Sequence, residues 1–450
     1  MMFSSEQLLS QRRAKRRRED DVLAATFQRR RTIGAAAAER QRRQAAQKIR
    51  VPRAHCRSRL NWEQHLFSLS PFEFRRMYRM HMELFSEILE KLAPKIATNA
   101  DKARNGSGGA AAISPTLMLS MTLRWLAGGH YIDIYIHHGV SDDMFYKAVW
   151  RVIDAINNEP DFAISFEHDR EDWLHGVEKE FSAMSTHQVF RGCVGAVDGW
   201  IPNIKCPSEK EDDHPRKFYV LRKGHYGMNV QAVCDANYIF THVDIQFPGT
   251  TGDSLAWQCT KLDQELKLGA LGKSETSFFL VGDAAYVNSE YLLIPVPGEL
   301  PAITEWEDSY NYHLSQLRIV IEQAFGILVR KWGILWRPLE CRFDKIAHLI
   351  TACMRLHNLC QLDRLKRKLP RREEDSSPAF DIPPGTGSSS SARHRAHMMR
   401  SKPKVDKDGR PVECLSDDDH RPGFLSNGIR QYIIQDLELR QLRRPRDARR

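Results

Sequence analysis

No apolar run in the 450 residues approaches the length that spans a bilayer, which argues against a membrane-embedded protein. The opening MMFSSEQLLSQRRAKRRRED contains no apolar stretch of the kind that marks a secretory signal. Cysteine is scarce and has no paired short spacing. Its nine residues therefore read as free thiols in a reducing compartment and not as a disulfide frame. Internal repeats are lacking too. What remains is an ordinary globular composition, 42% hydrophobic and 28% charged, long enough for two or three domains.

Negative charge is scarce at the two ends and concentrated in the middle. Residues 1–60 hold 17 Lys+Arg against 5 Asp+Glu, and residues 361–450 hold 21 against 14. With a net charge of +10 overall, the segment 61–360 is left at −9. Basic ends suit phosphate contacts or nuclear import, and they read equally well as solvated, disordered tails. The acidic centre argues against tight nucleic-acid binding by charge alone.

Periodicity divides the chain. Residues 1–60 form a basic arm with clusters such as Arg16-Arg17-Arg18 and no evident core. Residues 61–160 read as a helical domain, with Phe85, Ile88 and Leu92 at helical spacing and a glycine-rich linker, KARNGSGGAAA, inside it. Ser114-Pro115 starts a helix, Gly128-Gly129 breaks it, and Gly139-Val140-Ser141 turns into a second amphipathic helix, a helix-turn-helix silhouette. The second helix opens with Asp142-Asp143, which would repel phosphates, and such pairs are mostly packed helices. From residue 185 to 362 the period changes. GCVGAVDGWIPNIK, FYVLRKGHYGMNVQAVCDAN and YIFTHVDIQFPG read as three consecutive strands. A helix from Ser254 to about Leu268, a fourth strand in SFFLVGDAAY and helices over 310–335 and 344–362 follow. The expected class is α/β, a mixed sheet with flanking helices. Residues 363–450 read as a mostly disordered tail whose last segment, NGIRQYIIQDLELRQLRR, is one short helix.

Three carboxylates draw the eye within that domain. Asp198 ends the apolar run Cys193–Val197, and Asp283 ends Phe278–Gly282. An acid in such a place sits where the chain leaves the sheet, in the crevice open sheets use for ligands. Two converging carboxylates repel unless a cation lies between them, and magnesium answers that need with oxygen ligands and open sites for phosphate. In RIVIEQAFGILVRKW, Ile321, Phe325, Leu328 and Trp332 share a face, and Glu322 lies about 100° beside it, able to reach over the sheet end. Three such acids can hold two metals about 4 Å apart that activate a water at a phosphodiester. Taken singly, each acid also reads as a turn-former or a solvated side chain, so spacing alone leaves a metal hydrolase as one reading. Cys353, His357 and Cys360 share a helix face, but no fourth ligand stands at zinc spacing, and helix packing is the favoured reading. His137-His138 and His225 have no better claim.

The segments GAVDGWIPNIKCP, FPGTTGDS, FLVGDAAYVNSEYLLIPVP and NYHLSQLRIVIEQAFGILVRKWGIL, followed by ACMRLHNLC, occur in one order. Together they resemble the endonuclease domain of PIF/Harbinger transposases and their domesticated nuclease relatives, of the DDE superfamily, over about residues 62–362. The resemblance implies a ribonuclease H-like fold, two divalent metals (Mg²⁺ or Mn²⁺), and hydrolysis or strand transfer at DNA phosphodiesters. It places the family's catalytic, metal-holding acids on Asp198, Asp283 and Glu322. Arg318 matches a basic residue one helical turn before the glutamate, where an i,i+4 ion pair with Glu322 is the ordinary role. The loop FPGTTGDS departs from the family pattern: Gly252 stands where histidine is frequent, and Asp253 is expected to cap the next helix and not to be a ligand. The resemblance also implies a Myb-like DNA-binding partner; a nuclear location is expected beside it from the basic ends, and a homo-oligomer is one open arrangement. Two rivals stand beside this reading: a non-catalytic DNA-binding or chromatin-interaction protein on the same fold, and a nuclease acting on RNA.

Overall fold

Short polar residues start several helices of the N-terminal block. Asn61 accepts from the Gln64 N–H at the head of α1 (Trp62–Phe67), and Ser70 with Glu73 closes a reciprocal capping box on α2 (Pro71–Tyr78). The computed structural model describes residues 58–98, 112–269, 271, 277–370 and 428–445. The basic arm through residue 57, nearly all of the glycine-rich linker and the stretch 371–427, read above as disordered tail, lie outside the described residues. After α3 (Met82–Ile96), Ser114 caps α4 (Pro115–Leu126), which leads through α5 (Tyr131–His137) to α6 (Asp142–Asn157), capped by Ser141. The turn before α6 needs a left-handed residue, and Gly139 supplies it at φ 65°. The helix-turn-helix silhouette therefore exists, but Phe145, Val149, Val152, Ile153 and Ile156 of its second helix are spent on a core shared with α3, α4 and the later helix Phe343–Lys366.

After α7 (Glu171–Met184) the sheet begins with β1 (Cys193–Trp200). A hairpin of β2 (Tyr219–Val220) and β3 (His225–Tyr226) intervenes before β4 (Met228–Cys234) and β5 (Phe240–Pro248). The stretch expected as one second strand is thus a two-strand hairpin plus β4, because Lys223 and Gly224 both donate to the Val220 carbonyl and turn the chain back. The expected single helix after β5 is also divided, into α8 (Asp253–Gln258) and α9 (Lys261–Lys267), since the Thr260 side chain caps a new helix by accepting from the Asp263 N–H. β6 (Phe279–Val281) and a short β7 (Leu292–Leu293), not foreseen from the sequence, complete a five-stranded sheet in the order β5-β4-β1-β6-β7. β4 is antiparallel to both β1 and β5, while β6 and β7 run parallel to β1 and to each other. This is the mixed α/β sheet of a ribonuclease H-like fold.

Two long helices cover the sheet. α10 (Glu305–Lys331) opens with a capping box of Thr304 and Glu307 and lays Leu314, Leu317, Ile321, Phe325 and Leu328 against β1, β4 and β6. Each such side chain removed from water contributes about 1.5–3 kcal/mol, so the stripe fixes the helix's rotation about its axis. α11 (Phe343–Lys366) joins the sheet to the helical block, with Arg355 donating to the carbonyls of Ile156 and Glu159. Cys353, His357 and Cys360 lie in this packing. His357 Nε2 donates to the Tyr238 carbonyl at 2.7 Å, and the Cys360 thiol points to the Arg79 carbonyl. The closing helix α12 (Gly428–Leu439) packs on α10 with Ile433 and Leu437 buried. Among the described residues no helix is long and apolar enough to cross a membrane.

Candidate active site

The parallel register of β1 and β6 sets the geometry. Ala196 pairs with Val281. Two residues on, Asp198 stands inside β1 opposite Ala232 of β4, not at the strand's end as expected, because pairing with β4 carries β1 on to Trp200, while Asp283 lies two residues past the end of β6. Neighbouring strands lie about 4.8 Å apart, so the two acids stand on adjacent chain segments at one end of the sheet. Small residues permit this closeness. A Cβ on Gly195 would lie 2.7 Å from Val233 Cγ1 and 2.8 Å from Leu280 Cδ2, so glycine lets β4 and β6 close on β1.

Glu322 joins them from α10 through Arg318, one turn earlier. Arg318 Nη1 lies 3.2 Å from Asp283 Oδ1, and Nη2 lies 3.7 Å from Glu322 Oε1. The expected i,i+4 contact is present, but the shorter contact runs to the aspartate across the sheet. Glu322 itself remains 45% exposed, at the rim of the buried face, while Ile321, Phe325, Leu328 and Trp332 are buried as the helical stripe requires. Asp198 accepts from the Gly199 N–H at 2.8 Å. Burial, above all, pushes its carboxyl up to about 7. The Gly199 N–H opposes that rise, Asp283 adds to it, Arg318 opposes it and Glu322 adds to it. Asp198 thus feels the charge of both other acids.

A fourth carboxylate lies beside them. Asp253 is the first residue of α8 but caps nothing: Gly252 is the N-cap, and no side chain bonds there. The expected capping role is corrected by where the carboxylate goes. Asp253 Oδ1 turns onto the sheet and accepts from Asn229 Nδ2 at 2.9 Å and Gln231 Nε2 at 3.1 Å. A Cβ on Gly199 would lie only 2.2 Å from that oxygen, so the residue after Asp198 has to be small. Tyr286, three residues past Asp283, donates to Gln231 Oε1 at 2.8 Å, and Gln231 donates to Asn229 Oδ1 at 2.7 Å. The chain Tyr286–Gln231–Asn229–Asp253 therefore ties the loop after β6, strand β4 and the head of α8 into one polar floor. A sequence signal existed for it: Asn229 and Gln231 alternate in a fully buried strand, where unpaired amides are costly.

The donor set of Asp198, Asp283 and Glu322 is all oxygen, and it includes a half-buried carboxyl raised first by desolvation and then by like-charged neighbours, which a cation would relieve. That chemistry fits a hard divalent ion. The arrangement is not a closed cage. Among the described residues no group of three His, Cys, Asp or Glu side chains is drawn close enough to hold a metal, and Arg318 supplies the positive charge between two of the acids.

Sheet order, flanking helices and acids at one end of the sheet define a class, the ribonuclease H-like α/β fold carrying a carboxylate constellation. Residues 197–358 match the family model described as DDE superfamily endonuclease, so the chain carries a domain of that superfamily. "Putative nuclease HARBI1" of Bos taurus and of Homo sapiens are each 26% identical to it over 289 residues, spanning 63% of this chain and 76% of the relative. The Mus musculus counterpart is 25% identical over 287 residues, with the same shares covered. No solved structure matches the chain.

Proposed function

We propose that the chain is a metal-dependent DNA endonuclease in which Asp198, Asp283 and Glu322 are the catalytic acids. One observation carries the reading: the β1–β6 register brings Asp198 in β1 and Asp283 just past β6 to one end of the sheet, where Arg318 of α10 reaches both Asp283 and Glu322. These residues would hold Mg²⁺ or Mn²⁺, two ions in the full complement. When bound, the metal supplies polarisation of the attacking water and stabilisation of the leaving oxygen of the phosphodiester.

The chain's own residues prepare that chemistry. Burial in β1 strengthens the demand of Asp198 for a cation. Arg318 lies in ion-pair reach of both Asp283 and Glu322, and its guanidinium has N–H donors to offer a phosphate oxygen, the buried Nε among those without a partner. The polar floor beneath ties β4 to the head of α8 and to the loop after β6 as substrate enters. In the transposase form of the proposal, a freed 3′-hydroxyl gives its proton to water and its oxygen attacks a target phosphorus, so that the new P–O bond forms as the bond to the target strand's 3′-oxygen breaks and that oxygen leaves. Support for a nuclear location and a Myb-like partner comes from the basic ends and the family resemblance alone.

A second reading has its own observation. Arg318 already compensates two of the three acids, as a non-catalytic protein on this fold would need. Cleavage of labelled duplex DNA with Mg²⁺ or Mn²⁺, beside Asp283→Ala and an EDTA control, separates the two. Metal-dependent cutting lost in the variant supports the endonuclease. No cutting, even with a Myb-like protein supplied, favours the scaffold, and preferential cutting of RNA in competition moves the substrate.

A further inference from the structure

Between β1 and β4, where the sequence suggested one continuous strand, the β2–β3 hairpin projects a tip of Leu221, Arg222, Lys223 and Gly224. The tip is tightly made: Lys223 and Gly224 donate to the Val220 carbonyl at 3.0 and 2.9 Å, and Gly224 takes φ 71°. Its exposed side chains are unusual for a core with net negative charge. Leu221 is 84% exposed, and neither Arg222 nor Lys223 has an ion-pair partner among the described residues.

The hairpin's base is clamped to both flanks of the acid constellation. On one side the Ile204 N–H donates to the Tyr226 carbonyl and Asn203 bridges to Gly227, which binds the hairpin to the chain leaving Asp198. On the other, the Gly249 N–H donates to the Gly227 carbonyl at 2.8 Å and Thr250 Oγ1 donates to the Lys217 carbonyl at 2.5 Å, which binds it to the loop that carries Asp253. A Cβ on Gly249 would lie 2.6 Å from Val220 Cγ2, so the hairpin rests directly on that loop. Lys223 accordingly feels both Asp198 and Asp253. Solvent reaches it, but enough protein stands around it that desolvation lowers its pKa, Arg222 lowers it further, and the two acids raise it.

Two unpaired cations and a bare leucine, held rigidly beside phosphate-processing carboxylates, complement a DNA duplex: cations meet phosphates, and an apolar wedge enters a base step. We propose that the Leu221–Lys223 tip grips the DNA next to the bond to be cut, with Arg222 and Lys223 on backbone phosphates and Leu221 wedged against the adjoining base step. This rests on the DNA-endonuclease reading above and assigns the part of the fold that distorts the substrate.

Binding measured in EDTA isolates the proposal from cleavage. The full chain is titrated by fluorescence anisotropy into duplexes carrying 2-aminopurine at successive steps, over a range of salt, beside Leu221→Ala and the double variant Arg222→Ala/Lys223→Ala. All three positions are exposed, and circular dichroism checks that each variant is folded. The expected result is a 2-aminopurine increase at one step that Leu221→Ala abolishes while binding persists. The double variant should reduce the slope of log K against log salt by about two. Normal duplex binding with unchanged slope and an unchanged 2-aminopurine signal in the variants overturns the tip proposal alone. Failure of the unaltered chain to bind any duplex overturns the DNA reading beneath it as well. A change of oligomeric state in Leu221→Ala with DNA binding intact would instead assign the leucine to contact between copies, and overturns the proposal too.

Discussion

Arg318 Nη1 stands 3.2 Å from Asp283 Oδ1, so a helix residue and a strand-end residue 35 positions apart share a charge at the candidate active site. The same guanidinium reaches back to Glu322 at 3.7 Å. One cation thus restrains two of the three acids, and a divalent ion entering the site competes with it for both.

That competition makes a prediction for Arg318→Gln. Freed carboxylates should bind Mn²⁺ more tightly, seen as a lower midpoint in an electron paramagnetic resonance titration. Turnover should fall about tenfold, the equivalent of about 1.4 kcal/mol, because the acids lose their fixed orientation. Unchanged Mn²⁺ affinity would show that the guanidinium does not compete at the site.

Gly199→Ala tests the fourth carboxylate. The added Cβ meets Asp253 Oδ1 at 2.2 Å and Cγ at 2.7 Å, while Asn229 and Gln231 hold that group in place. Overpacking of this kind costs about 1–3 kcal/mol, readable in a urea titration. Cleavage should fall at least tenfold if Asp253 helps shape the site. Gly252→Ala, whose Cβ would meet nothing within 4 Å, is the control and should behave as the natural chain. Equal activity of the two variants would confine Asp253 to a structural role.

His357 makes stability depend on pH. Its Nε2–H donates to Tyr238, its Nδ1 is buried without a partner, and burial lowers its pKa to about 3. The unfolded chain, with an ordinary histidine near 6.5, binds more protons between those values, so this contribution is complete above about pH 6.5 and is lost as pH falls. Each pH unit in that window removes up to about 1.4 kcal/mol. His357→Gln should therefore be less stable than the natural chain at pH 7.5, with the difference narrowing toward pH 4. Parallel pH–stability curves for the two proteins would sink the assignment.

Much of the site was legible before folding. Asp198 and Asp283 were marked by the apolar runs they terminate, and Glu322 by its place beside the Ile321–Phe325–Leu328 stripe. Asp253 was misjudged because an acid at the head of a helix is ordinarily a cap. Only the nearness of Asn229 and Gln231, brought by the β4–β5 pairing and the turn after it, draws it onto the sheet. The hairpin tip was missed for a similar reason: YVLRKGHYGMNV has strand propensity throughout, and its reversal depends on one glycine and two hydrogen bonds to a single carbonyl.

What the sequence determined by itself was local: where apolar periods change from helix to strand, which acids follow apolar runs, and which face of α10 is buried. These follow from side-chain alternation and capping, which act over a few residues. What the tertiary structure decided was relational. The β1–β6 register that sets Asp198 beside Asp283, the β7 strand of only two residues, and the reach of Arg318 to Asp283 all join segments far apart in the chain. Such pairings depend on backbone hydrogen bonds and packing available only once distant strands meet, and no local pattern encodes which strand will be the neighbour.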